Sequence, residues 1–178
     1  LVTTRPDGQR PALHKRGATD GFYIDDSQID RVLDTKILHV GGVGLMNRMD
    51  DAGRTQEVMT DARRRGVITT LDVFASTAAD LPKVERLLPF TDYFLPSEEE
   101  ARALSGLHDH RDQAQFLLDR GAGCVVLTLG ANGAYYRHRD GLEFHTPSFR
   151  IAVKCTCGCG DCFNGGFATG LHLGLTPQ

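Results

Sequence analysis

Lys154-Cys155-Thr156-Cys157-Gly158-Cys159-Gly160-Asp161-Cys162-Phe163-Asn164-Gly165-Gly166-Phe167 is the stretch around which the rest of the chain is organised. Gly158 and Gly160 let a loop gather backbone N–H groups, and the apolar segment from Phe163 to Leu173 is expected to be a helix. A helix start adds unpaired N–H groups and the positive end of its dipole. Together these suit an anion such as a transferring phosphate. Asp161 stands at the mouth of that site, where a carboxylate can take a proton from an attacking hydroxyl while amides hold the phosphate. The same residues also read as an ordinary glycine turn with Asp161 as a helix N-cap, and spacing alone does not separate the two.

Working outward, strands alternate with helices at short intervals. Cys124-Val125-Val126-Leu127-Thr128-Leu129 is the most apolar run and is expected to be a buried strand. Gly130-Ala131-Asn132-Gly133 follows it, then a hairpin of Ala134–His138 with Leu142–His145 turning at Asp140-Gly141. Upstream, Lys36–Val40, Val67–Val73 and Tyr93–Leu95 are expected strands. Gln28–Leu33, residues 53–65, Asp80–Leu88 and Asp112–Arg120 are expected helices, and Glu98-Glu99-Glu100 opens another. Asp25-Asp26-Ser27 offers N-caps for the first of these, with a metal as a weaker reading of the acidic pair. Asp72 falls at the C-terminal end of its strand, a usual place for function in open sheets, though a turn-forming carboxylate is also ordinary there. Gly41-Gly42-Val43-Gly44 ends the first strand but is not a dinucleotide fingerprint, because position 47 is Asn. Residues 1–24 alternate loosely about Asp7-Gly8 and are expected to form an edge hairpin, with the α/β unit spanning 25–178. The whole pattern predicts a mostly parallel sheet with helices on both faces.

Charge is nearly balanced, 20 basic against 23 acidic residues for a net of −3, which argues against a nucleic-acid binder relying on bulk positive charge. Arg63-Arg64-Arg65 is expected to be the solvated end of a helix. No apolar run approaches the roughly 18 residues needed to cross a membrane. No signal-peptide core is present, so a cytoplasmic protein is the default expectation. Four of the five cysteines lie within Cys155–Cys162, which does not make a secreted disulfide framework. The seven histidines show no metal-ligand spacing. The chain begins at Leu1 and stops soon after a helix, and is expected to be a fragment.

Taken together, the motifs resemble those of the ribokinase-like sugar kinases, the PfkB carbohydrate kinase family. Cys155-Thr156-Cys157-Gly158-Cys159-Gly160-Asp161-Cys162-Phe163 is similar to the family's D-T-T-G-A-G-D-x-F signature. Leu127–Gly133 is similar to its T-x-G-x-x-G nucleotide segment, and Leu95–Ala101 to its P-N-x-x-E segment. The resemblance covers essentially the whole chain. It implies a three-layer αβα sandwich, incomplete here, with residues 1–24 the remnant of a lid hairpin. It implies ATP-dependent, Mg2+-assisted phosphotransfer to a hydroxyl of a sugar or related small molecule, with no nucleic-acid or membrane partner. In that pattern Asp161 is the general base, and the amides of Gly158, Cys159 and Gly160 form the anion hole. Ser97, Thr128, Gly130 and Gly133 serve the nucleotide, Glu100 helps place Mg2+ through water, and Gly42 is on the acceptor side. A homodimer through the lid strands also belongs to the pattern.

The departures are local. The signature's Asp, second Thr and Ala are Cys155, Cys157 and Cys159, and the Asn of P-N-x-x-E is Ser97. The replaced Asp often helps bind a monovalent cation in the family, so cation activation is open. Two alternatives therefore stand beside an active kinase. One is a pseudo-kinase that binds nucleotide without turnover. The other is a cysteine-based metal or redox module, although C-x-C-x-C-x-x-C is a poor zinc spacing.

Overall fold

Cys124, Val125, Val126 and Leu127 are all buried, as an unbroken apolar run must be when both faces of its strand are covered. Their side chains alternate between two cores. Val125 and Leu127 pack with Leu71, Phe94, Leu104 and Leu117, while Cys124 and Val126 pack with Leu95 and Tyr136 against Phe163 and Phe167. The computed structural model describes residue 15, residues 17–74 and residues 77–177. Six strands form one sheet in sequence order: β1 (Ile37–Val43), β2 (Ile68–Val73), β3 (Tyr93–Phe94), β4 (Cys124–Thr128), β5 (Ala134–His138) and β6 (Glu143–Thr146). β1 to β4 run parallel, with Ile37 opposite Ile68, Thr70 opposite Tyr93 and Tyr93 opposite Cys124. β5 and β6 return as the antiparallel hairpin that Asp140-Gly141 predicts.

The helices are α1 (Ile29–Leu33), α2 (Asn47–Asp51), α3 (Arg54–Arg64), α4 (Leu81–Glu85), α5 (Glu98–Ser105), α6 (His110–Leu118) and α7 (Cys159–His172). Each parallel strand lies beside its predecessor, so right-handed crossovers carry the connecting helices to one face. Met59 of α3, Val84 of α4, Leu104 of α5 and Leu117 of α6 accordingly share one core. α7 covers the opposite face, where the Phe167 ring meets Tyr93 edge-on at 5.2 Å between centroids. The α/β sandwich with a mostly parallel sheet is thus present, with helices on both faces. Among the described residues no helix is long and apolar enough to cross a membrane.

Several elements differ from expectation for identifiable reasons. α7 begins at Cys159, four residues before Phe163, because Gly158 takes a left-handed φ of 73° and lets the chain turn into the helix earlier. Asp161 is therefore inside the first turn, and Gly158 is the N-cap. β1 runs through Gly41 and Gly42 to Val43 across a register shift, so Gly42, with φ 76°, sits in an irregular strand end. The segment expected as one helix over Asp80–Leu88 is split into a 3-10 turn at Ala78–Asp80, α4, and a second 3-10 turn at Leu88–Phe90 that contains Pro89. α6 starts at His110 because Asp109 accepts from the amides of Arg111 and Asp112 at 2.8 and 3.3 Å. α2 had no signal in the sequence. Asp25 accepts from Ser27 within its own turn, Asp26 pairs with Arg54 at 2.8 Å, and Gln28 caps α1 without a side-chain bond. The arginine run is ion-paired: Arg63 with Asp92, Arg64 with Asp61 and Arg65 with Asp30. The hairpin expected about Asp7-Gly8 lies outside the described residues.

Gly133 is fixed by packing. A Cβ there would sit 1.9 Å from the Thr146 carbonyl oxygen, and φ is 92°. Gly133→Ala is expected to destabilise the protein by at least about 3 kcal/mol, because neither backbone can yield without breaking the β5–β6 hairpin. Chemical denaturation of wild type and variant measures this.

Candidate functional site

The C-terminal ends of β2 to β4 and the start of α7 meet at one edge of the sheet, where open α/β sheets bind ligands. β3 continues through Leu95-Pro96 to Ser97, which forms a parallel bridge with Thr128, and the Thr128 amide donates to the Pro96 carbonyl at 3.2 Å. Ser97 then caps α5. Its Oγ accepts from the Glu100 amide at 3.2 Å. Glu100 Oε2 in return accepts from the Ser97 amide and hydroxyl at 2.9 and 2.8 Å. The capping box holds Glu100 in place at the head of its helix. Burial pushes the Glu100 carboxyl above its usual range. The Ser97 hydrogen bonds oppose that, and the charge of Asp72 adds to it.

Asp72 links the two faces of the sheet. Its Oδ1 accepts from the Val73 amide at 2.8 Å, and its Oδ2 accepts from Asn164 Nδ2 of α7 at 2.9 Å. Burial raises the Asp72 carboxyl, and the charge of Asp161 raises it further, while His39 works the other way. His39 Nδ1 is itself within 2.9 Å of Thr70 Oγ1. Asp72, Glu100 and Asp161 therefore form a chain of carboxylates close enough to feel one another. Asn164 is buried, and its Oδ1 has no hydrogen-bond partner.

The first turn of α7 carries the amides that the sequence predicts to meet an anion. The Cys162 amide donates to the Gly158 carbonyl at 2.9 Å and the Cys159 amide to the Thr156 carbonyl at 3.2 Å. The amides of Gly160 and Asp161 have no acceptor among the described residues. Asp161 is exposed beside them. The nucleotide-like segment is joined mechanically to this turn's approach. Gly133 donates to Gly130, Leu129 donates to Gly133, and Ser148 Oγ donates to the Ala131 carbonyl at 2.5 Å. The two glycines differ: Gly130 faces open space at φ 57°, whereas Gly133 is wedged against Thr146.

The residues singled out from the sequence thus divide. Gly158, Cys159, Gly160 and Asp161 form one turn, Ser97 and Glu100 one cap joined to Thr128, and Gly130 and Gly133 the turn after β4. Gly42 is at the end of β1, next to Gly41, which helps line a groove of about 670 Å³ with Tyr23, His39, Val40 and Met46. Asn164 carried no signal. In the sequence it is one polar residue in a helix, and only the fold brings it to Asp72. Cys155, Cys157, Cys159 and Cys162 are exposed, and no group of three or more His, Cys, Asp or Glu side chains among the described residues is placed to hold a metal. An ion here would complete its shell with water and phosphate oxygens.

Known proteins share this fold. The family model described as pfkB family carbohydrate kinase matches residues 1–177. Aminoimidazole riboside kinase of Salmonella typhimurium is 40% identical over 176 residues, covering 93% of this chain and 53% of that protein. An E. coli protein described as a ribokinase II, solved in complex with ATP and Mg2+, superposes with a TM-score of 0.70 at 25% identity, covering 84% of this chain and 49% of that one. Arabidopsis thaliana ribokinase, solved with ribose and ATP, gives a TM-score of 0.80 over 98% of this chain and 56% of that one. At 20% identity that match speaks to the fold alone. The chain spans about half the length of each of these relatives.

The raised Asp72 carboxyl has a consequence for stability. A carboxyl whose folded pKa lies above its unfolded value binds more protons when folded, so its contribution to stability is lost as pH rises from 3.8 through the folded value. Asp72→Asn removes that loss. The stability of wild type relative to the variant is expected to fall as pH rises from about 4 to about 7, and thermal unfolding of both proteins across that range measures it.

Proposed function

The chain belongs to the pfkB family of carbohydrate kinases, and on that premise we propose that it transfers the γ-phosphoryl group of ATP to a hydroxyl of a sugar or related small molecule. The observation that carries this reading is the first turn of α7. There, two amides without acceptors stand beside an exposed carboxylate, at the strand-end edge of a parallel sheet.

Phosphoryl transfer asks mainly for positioning and for neutralisation of charge. The Gly160 and Asp161 amides, with the α7 dipole behind them, receive the transferring group. Gly158 shapes the turn, and the Cys159 amide joins them on release from Thr156. Asp161 takes the proton of the acceptor hydroxyl as its oxygen attacks phosphorus and ADP leaves. Thr128 and Gly130 face the nucleotide, Gly133 permits the turn that presents them, and Ser97 orders the strand end beside Thr128. Gly42 lies on the acceptor side. The relatives include kinases of ribosides, ribose and fructose, which supports a sugar or riboside acceptor.

Charge makes a metal necessary to this reading. A helix start offers roughly half a positive charge. Asp72, Glu100 and Asp161 together with a polyphosphate far exceed it. Mg2+, when bound with ATP, supplies the missing positive charge. Glu100, through water, and Asp72 are the residues that would hold it. The half-buried Glu100–Ser97 cap keeps that carboxylate fixed while the ion comes and goes.

The test is an assay of the full-length protein with ATP, Mg2+ and a panel of pentoses, hexoses and ribosides. At least one acceptor is expected to be phosphorylated. Asp161→Asn is expected to lower kcat by about 10²-fold or more with its circular dichroism unchanged. Wild-type turnover in that variant would overturn the base assignment. Nucleotide binding without phosphorylation of any acceptor would favour the pseudo-kinase reading.

A further inference from the structure

Cys159-Gly160-Asp161-Cys162 sets two thiols three positions apart at the start of α7, with Cys159 the first helical residue. Both are exposed and neither is in a disulfide. The residues between them are the two whose amides are open and one of which carries the proposed base. A C-x-x-C pair at a helix start sets two exposed thiols on one face, an arrangement that exchanges with disulfides. Cys124 is the contrast: it is buried, and burial pushes its thiol up to about 12, which leaves it inert. Cys155 and Cys157 lie in the loop before the helix, and the Cys157 amide donates to Cys155 Sγ at 3.4 Å.

We propose that Cys159 and Cys162 form a reversible dithiol–disulfide pair, oxidised by a hydroperoxide, whose closure takes the anion-binding turn of α7 out of use. The regulatory half of this proposal rests on the kinase reading of that turn. In the first step one thiolate attacks the peroxide oxygen and forms a sulfenic acid, and the peroxide leaves as an alcohol. In the second step the other thiol attacks that sulfur and forms the S–S bond, and water leaves. Two thiols lose two electrons and two protons, and one hydroperoxide becomes one alcohol and one water. An external dithiol reverses the reaction through a mixed disulfide.

The geometry explains why closure would matter. Side chains three apart on a helix have Cβ atoms about 5–6 Å apart, and a disulfide needs about 3.5–4.5 Å. Closing the bond therefore draws the first turn of α7 inward by about 1 Å or more. The Gly160 and Asp161 amides and the Asp161 carboxylate move with it. A displacement of that size in a reacting site can cost about 10²-fold in rate. The turn can give, because Cys159 to Cys162 are all exposed and Gly158 before them is a left-handed N-cap with no side chain.

The experiment treats the reduced full-length protein with tert-butyl hydroperoxide, alkylates the remaining thiols and maps peptides by mass. It also follows hydrogen exchange over residues 155–163 and measures kcat/KM before and after dithiothreitol. A Cys159–Cys162 link is expected, with altered exchange across that turn and a fall in kcat/KM of at least about tenfold that dithiothreitol reverses. Cys162→Ser is expected to keep its reduced-state turnover and to form no such link. No link, or links through Cys155 or Cys157 instead, would overturn the pair. A link with unchanged exchange and turnover would overturn the gating. If the reduced protein phosphorylates no acceptor, the kinase reading fails, while mapping and exchange still decide whether the pair closes and remodels the turn.

Discussion

The hydrogen bond from Asn164 to Asp72 joins residues 92 positions apart and sets where α7 starts relative to the sheet. It ties the C-terminal end of β2 to the second turn of α7. The other hold on the helix is the aromatic contact of Phe163 and Phe167 with the Tyr93, Cys124, Val126 and Tyr136 face. Aromatic packing resists separation but tolerates sliding and rotation. A short bond to a half-buried carboxylate does not, and bonds to charged groups contribute about 1.5–3 kcal/mol. The position of every amide in the first turn of α7 depends on this pair. Burial raises the Asp72 carboxyl, the Asn164 bond works against that rise, and the cost of the arrangement is visible in Asn164 Oδ1, which is buried without a partner.

The same edge shows how local capping and long-range packing cooperate. Ser97 is at once the N-cap of α5 and a bridge partner of Thr128. The helix start and the end of β4 are therefore fixed by one residue. The Ser97 hydroxyl does this because it can both accept from the Glu100 amide and donate to its carboxylate. Gly133 fixes the next turn by letting the Thr146 backbone pass within a distance no side chain allows. Two rigid turns and one docked helix bring the site together, although its parts come from segments spread over residues 72 to 164.

The proposed redox and phosphate chemistries would meet on one turn, because its open amides and its exposed thiols lie within Cys159–Cys162. The departures from the family signature fall on this turn and its approach, and leave Gly158, Gly160 and Asp161 in place. The glycines that shape the turn are retained while its neighbouring side chains change to cysteine.

The sequence by itself determined the order of the six strands, the buried central strand and the glycine turn ahead of Asp161. Alternating apolar runs, glycine stops and the Ser97–Glu100 cap are local signals, each written within a few residues. It misplaced the start of α7, because a left-handed glycine N-cap reads in sequence like part of a loop. It also treated Asp80–Leu88 as one helix, because Pro82 and Pro89 are compatible with helix starts as well as with breaks. Only the tertiary structure decided that Asp72 pairs with Asn164. It also decided that Glu100 and Asp161 both act on that carboxylate, and that Gly133 is held by packing while Gly130 is open. Those are contacts between distant segments, set by strand order and crossover handedness, and periodicity along the chain carries no record of them.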